Sequence, residues 1–200
     1  PAASPYAGGI TQEGAHNGIR VSVVNSTTYY WIDNTSRDQY LGVFFGLAVA
    51  FDMVDDGGMR SAISSLGTRM LNFLLHNGWN IRMPDGSIST TFTIRPDQQL
   101  TLLQIGRRMN TAQFETTYGF YCFFQAGSVG IPIAAEVIDD HNSYFKFNLD
   151  TINFYNLIRF ENSSFRWFYD QAYNILRRTT DDHGNAHFNM IDRALRGPNS

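Results

Sequence analysis

Asn34-Thr-Ser-Arg-Asp-Gln-Tyr-Leu-Gly-Val-Phe-Phe-Gly-Leu-Ala-Val-Ala-Phe-Asp-Met-Val54 turns within a few residues from polar to almost wholly apolar. Ser36 suits a helix cap and Asp38 suits the positive end of the helix dipole. Tyr40, Phe44, Leu47, Ala48 and Phe51 recur at helical spacing, and Val43, Phe45 and Val49 make the other side apolar too. The spacing predicts a helix from about Ser36 to Val54, buried on several sides. The same polar-to-apolar change returns at Arg95-Pro-Asp-Gln-Gln99, at His141-Asn-Ser-Tyr-Phe-Lys-Phe-Asn148 and at Gly184-Asn-Ala-His-Phe-Asn189. A further helix separates each cluster from the next. In antiparallel hairpins every second helix points the same way, so these polar clusters are expected together at one end of a helical array.

Outward from that stretch, Asp55-Asp-Gly-Gly58 breaks the first helix. Ile63, Leu66, Met70, Phe73 and Leu74 stripe a second, Met59 to His76, and Asn77-Gly78 ends it by tolerating left-handed backbone. Pro96 suits the first turn of a third helix, which runs to Met109 with Leu100, Leu103 and Gly106 on one face. A fourth covers Thr111 to Gln125, and Gly127-Ser-Val-Gly-Ile-Pro132 splits off its continuation, Ala134 to Asp139. Three more helices are expected over Phe147–Phe160, Ser163–Arg178 with Ser163 or Ser164 as cap, and His187–Leu195. Ile19–Val24 and Thr28–Ile32 around Asn25 read as a β-hairpin, and so do the runs flanking Pro84-Asp-Gly86. Residues 1–18 form an irregular arm rich in Gly, Ala, Ser and Pro. The fold class is therefore mainly α, with antiparallel helical hairpins in a single domain over residues 1–200. Short β-hairpins lie near the N-terminus and around residues 79–93.

Aromatic residues reach 14% and charged residues only 16%, against a usual charged share of about 25%. That much apolar surface implies burial against a partner or against the remainder of a larger chain. A net charge of −3 without basic runs argues against nucleic acid. No uninterrupted apolar run approaches the roughly 20 residues that span a bilayer. Cys122, alone in the apolar run Tyr118-Gly-Phe-Tyr-Cys-Phe-Phe124, makes no intrachain disulfide and reads as a buried thiol. N-x-S/T triplets at Asn25, Asn34 and Asn162 permit glycosylation of a secreted chain.

The segment Thr35–Asp52 resembles one found in large, poorly characterised proteins of the six-hairpin (α/α) toroid glycosidase-like superfamily. Ala186-His-Phe-Asn-Met-Ile-Asp-Arg-Ala-Leu-Arg-Gly-Pro198 is similar to their closing helix. The resemblance implies a toroid of which this chain supplies about half. It also implies hydrolase or lyase action on a polysaccharide in a groove at one end. It assigns no catalytic residue.

The residues themselves offer candidates. Asp33, Arg37 and Asp38 set two carboxylates beside a cation, an arrangement that splits acid from base in glycoside hydrolysis. The structural alternative has Asp38 at the helix terminus and Arg37 paired with Asp33. His141, beside Asp139 and Asp140, and His187, in the cluster from Asp181 to Asn189, are candidate acid or base groups. Trp31 and Tyr144, beside polar clusters, are candidate sugar platforms. Gln98, Asn148 and Asn189 complete a polar groove. No metal motif, phosphate-cradling loop or nucleophile elbow is present, so no cofactor is expected. The expectation is a carbohydrate-active domain, hydrolase or lyase, in an extracellular setting. The alternatives are a lectin and a self-associating structural protein.

Overall fold

A computed structural model describes residues 18–83, 86–139 and 144–197; most of the expected N-terminal arm, the Pro84-Asp85 turn and His141 lie outside them. The chain is mainly α-helical, with two separate two-stranded antiparallel sheets. Strands β1 (Ile19–Val24) and β2 (Thr27–Ile32) pair in register from Ile19 opposite Ile32 to Val24 opposite Thr27. Asn25 and Ser26 make the turn, with φ of 49° and 63°. Positive φ at both turn positions matches the right-handed twist of the strands. The open end is closed by the Asp33 N–H, which donates to the Gly18 carbonyl at 2.9 Å. Gly18 has φ of +77°, and a Cβ there would lie 2.2 Å from Asp33 Oδ1, so the contact requires glycine. Strands β3 (Asn80–Arg82) and β4 (Ile88–Thr91) form the second pair, with an irregularity between Ile81 and Arg82.

Helix α1 (Arg37–Met53) begins with the expected Ser36 cap, extended into a capping box. Ser36 Oγ accepts the Gln39 N–H, and Gln39 Oε1 accepts the Ser36 N–H at 2.8 Å. Its apolar surface is deeply buried along Leu41, Phe44 and Ala48, while Val43 faces outward. Helix α2 (Gly57–His76) starts earlier than Met59 because Asp56 Oδ1 accepts the Met59 N–H at 2.7 Å. It also turns a different edge inward. Gly67, Leu71 and Leu74 are buried, whereas Leu66 and Phe73 of the expected stripe are exposed. Gly67 explains the rotation: Met109 Cε lies 2.3 Å from where a Cβ would stand, so the helix brings its smallest residue to the closest approach.

Helix α3 (Pro96–Met109) is the centre of the array and touches α1, α2, α4 (Thr111–Gln125) and α6 (Tyr144–Arg159). Surrounded in this way, it buries Leu100, Leu102 and Leu103 and also Gln98, Gln99 and Gln104, rather than a single face. Helix α4 runs through a 3₁₀ turn, Ala126–Ser128, into α5 (Gly130–Ile138). The expected break at Gly127–Pro132 is thus a joint. Pro132 sits in the first turn of α5, where its missing N–H has no helical partner to lose. The joined segment Thr111–Ile138 has 28 residues and contains an 18-residue window of mean hydropathy 1.3, long and apolar enough by those two measures to cross a membrane. Uninterrupted runs, the basis of the sequence reading, do not reveal it. Phe114, Tyr118, Cys122, Ala126, Val129 and Ile133 form its buried edge.

Helices α7 (Arg166–Thr180) and α8 (Ala186–Arg196) complete the array. Neither Ser163 nor Ser164 caps α7. Ser163 Oγ accepts the Phe165 N–H at 3.2 Å in the preceding turn, and Phe165 holds the cap position without a side-chain bond. Asn185 caps α8, its Oδ1 accepting the His187 N–H at 2.8 Å. One continuous core extends from Leu41 to Phe188.

Candidate functional site

The starts of α1, α3 and α6 meet at one end of the array. Arg37, Asp38, Gln98, Lys146 and Leu149 line a cavity of about 160 Å³ together with Arg95, Asp150 and Glu136, the last arriving from the end of α5. The far ends of the same helices also meet. Asp52, Arg107, Arg108 and Arg159 line a cavity of about 550 Å³ there. Helices α1, α3 and α6 therefore run parallel, as the alternation of hairpins requires. In the larger cavity the charges are paired off: Asp52 lies 3.0 Å from Arg108 and 2.9 Å from Arg159. That end is an ion cluster closing the array.

The small cavity opens into a furrow. Phe145 and Leu149 carry its wall toward Asn148, Asn185 and His187. Asp38 carries it the other way, past Gln39 and Asn34 to Trp31 and Tyr30. All the polar clusters quoted from the sequence thus supply residues to one end.

The floor of this furrow is a buried charge network. Arg95 Nε and Nη2 donate to Asp97 Oδ1 and Oδ2 at 3.0 and 2.8 Å, and Nη2 also donates to Asp150 Oδ1 at 3.0 Å. Arg95 Nη1 is ion-paired with Glu136. The Asp97 and Asp150 side chains are each 2% exposed, Arg95 is 8% exposed and Glu136 is 14% exposed. Three carboxyl groups around one guanidinium cannot all ionise cheaply away from water. Burial pushes Asp150 well above the ordinary carboxyl range, and a hydrogen bond shared with Glu136 and the charge of Asp97 add to that. Burial likewise raises Asp97, outweighing its bonds to Arg95. Burial alone would lower Arg95, but its bond to Asp97 and the surrounding carboxylates outweigh it and hold the guanidinium charged. Asp150 therefore resists ionisation where an isolated carboxyl would not. Gln98 Oε1, also buried, has no hydrogen-bond partner among the described residues.

The expected site residues divide into two groups. Asp38, Arg37, Gln98, Trp31, Asn148 and His187 all line the furrow. Trp31 is held by Nε1 donating to Ser22 Oγ at 2.9 Å. Asp33 does not join them. It is buried and paired with Arg20 at 2.7 Å, not with Arg37, and so clasps the base of the β1–β2 hairpin. Tyr144 stacks on His183 with centroids 5.1 Å apart and packs on Phe188, which makes it a brace for the start of α8. Asn189 Oδ1 accepts from Arg177 at 2.8 Å and ties α8 to α7. Asn25, Asn34 and Asn162 are all exposed, and Asn34 Oδ1 accepts from Ser89 Oγ at 2.9 Å on the furrow wall. Cys122 is buried with Sγ 3.1 Å from the Tyr169 hydroxyl, and burial pushes its thiol up.

Arg95, Asp97, Glu136 and Asp150 are the residues that sequence reasoning missed. Only Glu136 gave a local signal, as an acid within the apolar run Ile133-Ala-Ala-Glu-Val-Ile138. A charge in such a position needs a partner. Among the described residues no group of three or more His, Cys, Asp or Glu is arranged to hold a metal ion. No family model, curated protein or solved structure matches this chain.

Proposed function

We propose that this chain is a carbohydrate-active domain, hydrolase or lyase, acting on an oligosaccharide or polysaccharide that lies in the furrow. One observation carries the reading: the carboxyl of Asp38 at the furrow wall shares a cavity with Glu136 and with Asp150, which burial pushes well above the ordinary carboxyl range. Glycoside cleavage uses such a division between an acid that keeps its proton and a carboxylate that acts as base or nucleophile. Glu136, the most exposed carboxyl of the network, is the proton donor to the departing glycosidic oxygen. Asp150 supplies that proton from behind, and Asp38 acts on the opposite partner of the reaction. Trp31 and Tyr30 offer a ring face to the apolar side of a sugar, and Asn148 and His187 bind hydroxyls further along. In this reading the helical hairpins are part of an (α/α) toroid, and the exposed Asn25, Asn34 and Asn162 suit a secreted glycoprotein.

A lectin is the second reading. The burial of Asp97 and Asp150 favours it, because groups 2% exposed do not touch a substrate directly. Incubation with a panel of polysaccharides and oligosaccharides, with mass spectrometry of the soluble products, separates the two. New shorter sugars that disappear in both Asp38→Asn and Glu136→Gln support the enzyme. Sugar retained without new products supports the lectin. Neither products nor retention across the panel counts against both.

A further inference from the structure

The outer face of the long segment Thr111–Ile138 is bare and apolar. Phe120, Phe123 and Phe124 are 61%, 75% and 66% exposed, with ring centroids about 5 Å apart along the series. Ile131 and Ile138 continue the same face, because residues 120, 124, 131 and 138 recur at helical spacing. Trp167 and Phe168, at the start of α7, border it; Phe168 Cε1 is 3.8 Å from where a Cβ on Gly127 would stand. A fully bared aromatic side chain presents roughly 200 Å², so these five aromatic rings leave about 600 Å² uncovered. That is already the upper end of the largest patch on a typical monomer. With both isoleucines added, the face reaches roughly the 800 Å² that one partner contributes to a standard interface.

We infer that this face is a homodimer interface, in which the Thr111–Ile138 segments of two copies of the chain pack antiparallel about a twofold axis. Three features fit a second copy. The face is self-complementary in kind, its large exposed side chains from Phe120 to Ile138 all apolar, as an isologous contact needs. Gly119 and Gly127 are exposed within it, and a Cβ at Gly119 would meet nothing within 4 Å, so a partner helix can approach closely beside the phenylalanines. The segment contains Glu115 and Glu136 but no Lys or Arg, which suits a protein partner and not an anionic lipid surface. A bilayer-spanning arrangement would also drag α7 into lipid, with its Arg166–Asp170 pair and its Arg177.

The test is sedimentation equilibrium of the chain from about 1 to 100 μM, compared with the monomer mass of 22.7 kDa. Twice that mass is expected for the parent chain. Phe124→Glu and Trp167→Glu, both at solvent-exposed positions and checked for folding by circular dichroism, are expected to weaken the dimer at least 100-fold. Val23→Lys in the exposed β1–β2 hairpin is expected to leave it unchanged. A parent chain that is monomeric at 100 μM overturns the inference. So does a dimer that survives Phe124→Glu and Trp167→Glu but is lost in Val23→Lys, which would move the contact to the hairpin. Flotation of a monomeric parent chain with phosphatidylcholine vesicles would overturn it as well, and would assign the face to lipid.

Discussion

Arg95→Met removes the one cation from a floor that holds three carboxyl groups. Arg95 donates to both oxygens of Asp97, to Asp150, and pairs with Glu136. Methionine nearly fills the volume, so the loss is electrostatic and not mainly a cavity. Breaking a buried pair by deleting one partner costs about 3–5 kcal/mol, because the remaining charge has neither water nor partner. For a chain of this size each kcal/mol moves Tm by roughly 2–4 °C, so a fall on the order of 10 °C is expected at neutral pH. The sign of the pH dependence follows from the carboxyls. Asp97 and Asp150 are raised in the folded state above 3.8, so their favourable neutral form is fully available below that value. That contribution is lost as pH rises through the folded values. Without Arg95 the main opposition to burial is gone, both groups rise further, and the variant loses more stability with rising pH than the parent does. Urea unfolding of parent and variant at about pH 4, 5.5 and 7 measures the difference. The gap is expected to widen steadily with pH. A gap that is constant over this range, or below about 1 kcal/mol at pH 7, would refute the reasoning, since a buried guanidinium serving three carboxyls must matter most where they tend to ionise.

Other outcomes follow from the same contacts. Asp150→Asn keeps an acceptor for Arg95 and a donor for Glu136 while removing a titration, so it is expected to flatten the pH dependence and to gain on the parent as pH rises from 4 to 7, as read by the same urea series. Gly106→Ala puts a Cβ 2.3 Å from Leu71 Cδ2 at the centre of the core; overpacking of about 1–3 kcal/mol should outweigh the helix-propensity gain of about 1 kcal/mol, lowering Tm. Ser36→Ala removes the cap of α1 and is expected to cost about 1 kcal/mol in thermal unfolding. Tyr118→Phe removes the hydroxyl that donates to Glu161 and faces Tyr169 at 3.1 Å, so a loss of about 1–3 kcal/mol is expected. The present lowering of Glu161, where the bonds from Tyr118 and Ser163 outweigh burial, should also diminish in that variant, as carboxyl NMR titration would show.

What the sequence made legible, and what it did not, follows from the range of each signal. Ser36, Asn25, Asn77 and Pro96 act within a few residues of themselves, so the cap, the hairpin turn, the helix end and the helix start could all be read locally. The convergence of Asp38, Gln98, Asn148 and His187 at one end was legible because it follows from counting alternate helices and needs no side-chain detail. The inward edge of α2 was not legible. Apolar spacing alone favoured Leu66 and Phe73, and the choice was made by Gly67 against Met109, a contact 42 residues away in sequence. The Arg95 network was hidden for the same reason. Asp97, Glu136 and Asp150 lie on three different helices, and although Glu136 stands out in an apolar run, nothing in any one segment says which other charges it meets.

The two ends of α3 show why such a network points toward chemistry. At its C-terminal end Arg107 donates to the Phe160 carbonyl and Arg108 to Asp52, with positive charge against the negative end of the dipole. At its N-terminal end carboxyl groups crowd toward the positive end of the dipole, which favours their ionisation, yet burial pushes Asp150 well above the ordinary carboxyl range. Stability alone would be served as well by apolar side chains in place of the four charges. A fold that instead maintains three carboxyls and one guanidinium beneath an aromatic, amide-lined furrow sets Asp150, a carboxyl that resists ionisation, against that furrow. The product analysis of Asp38→Asn and Glu136→Gln asks whether its proton is used there.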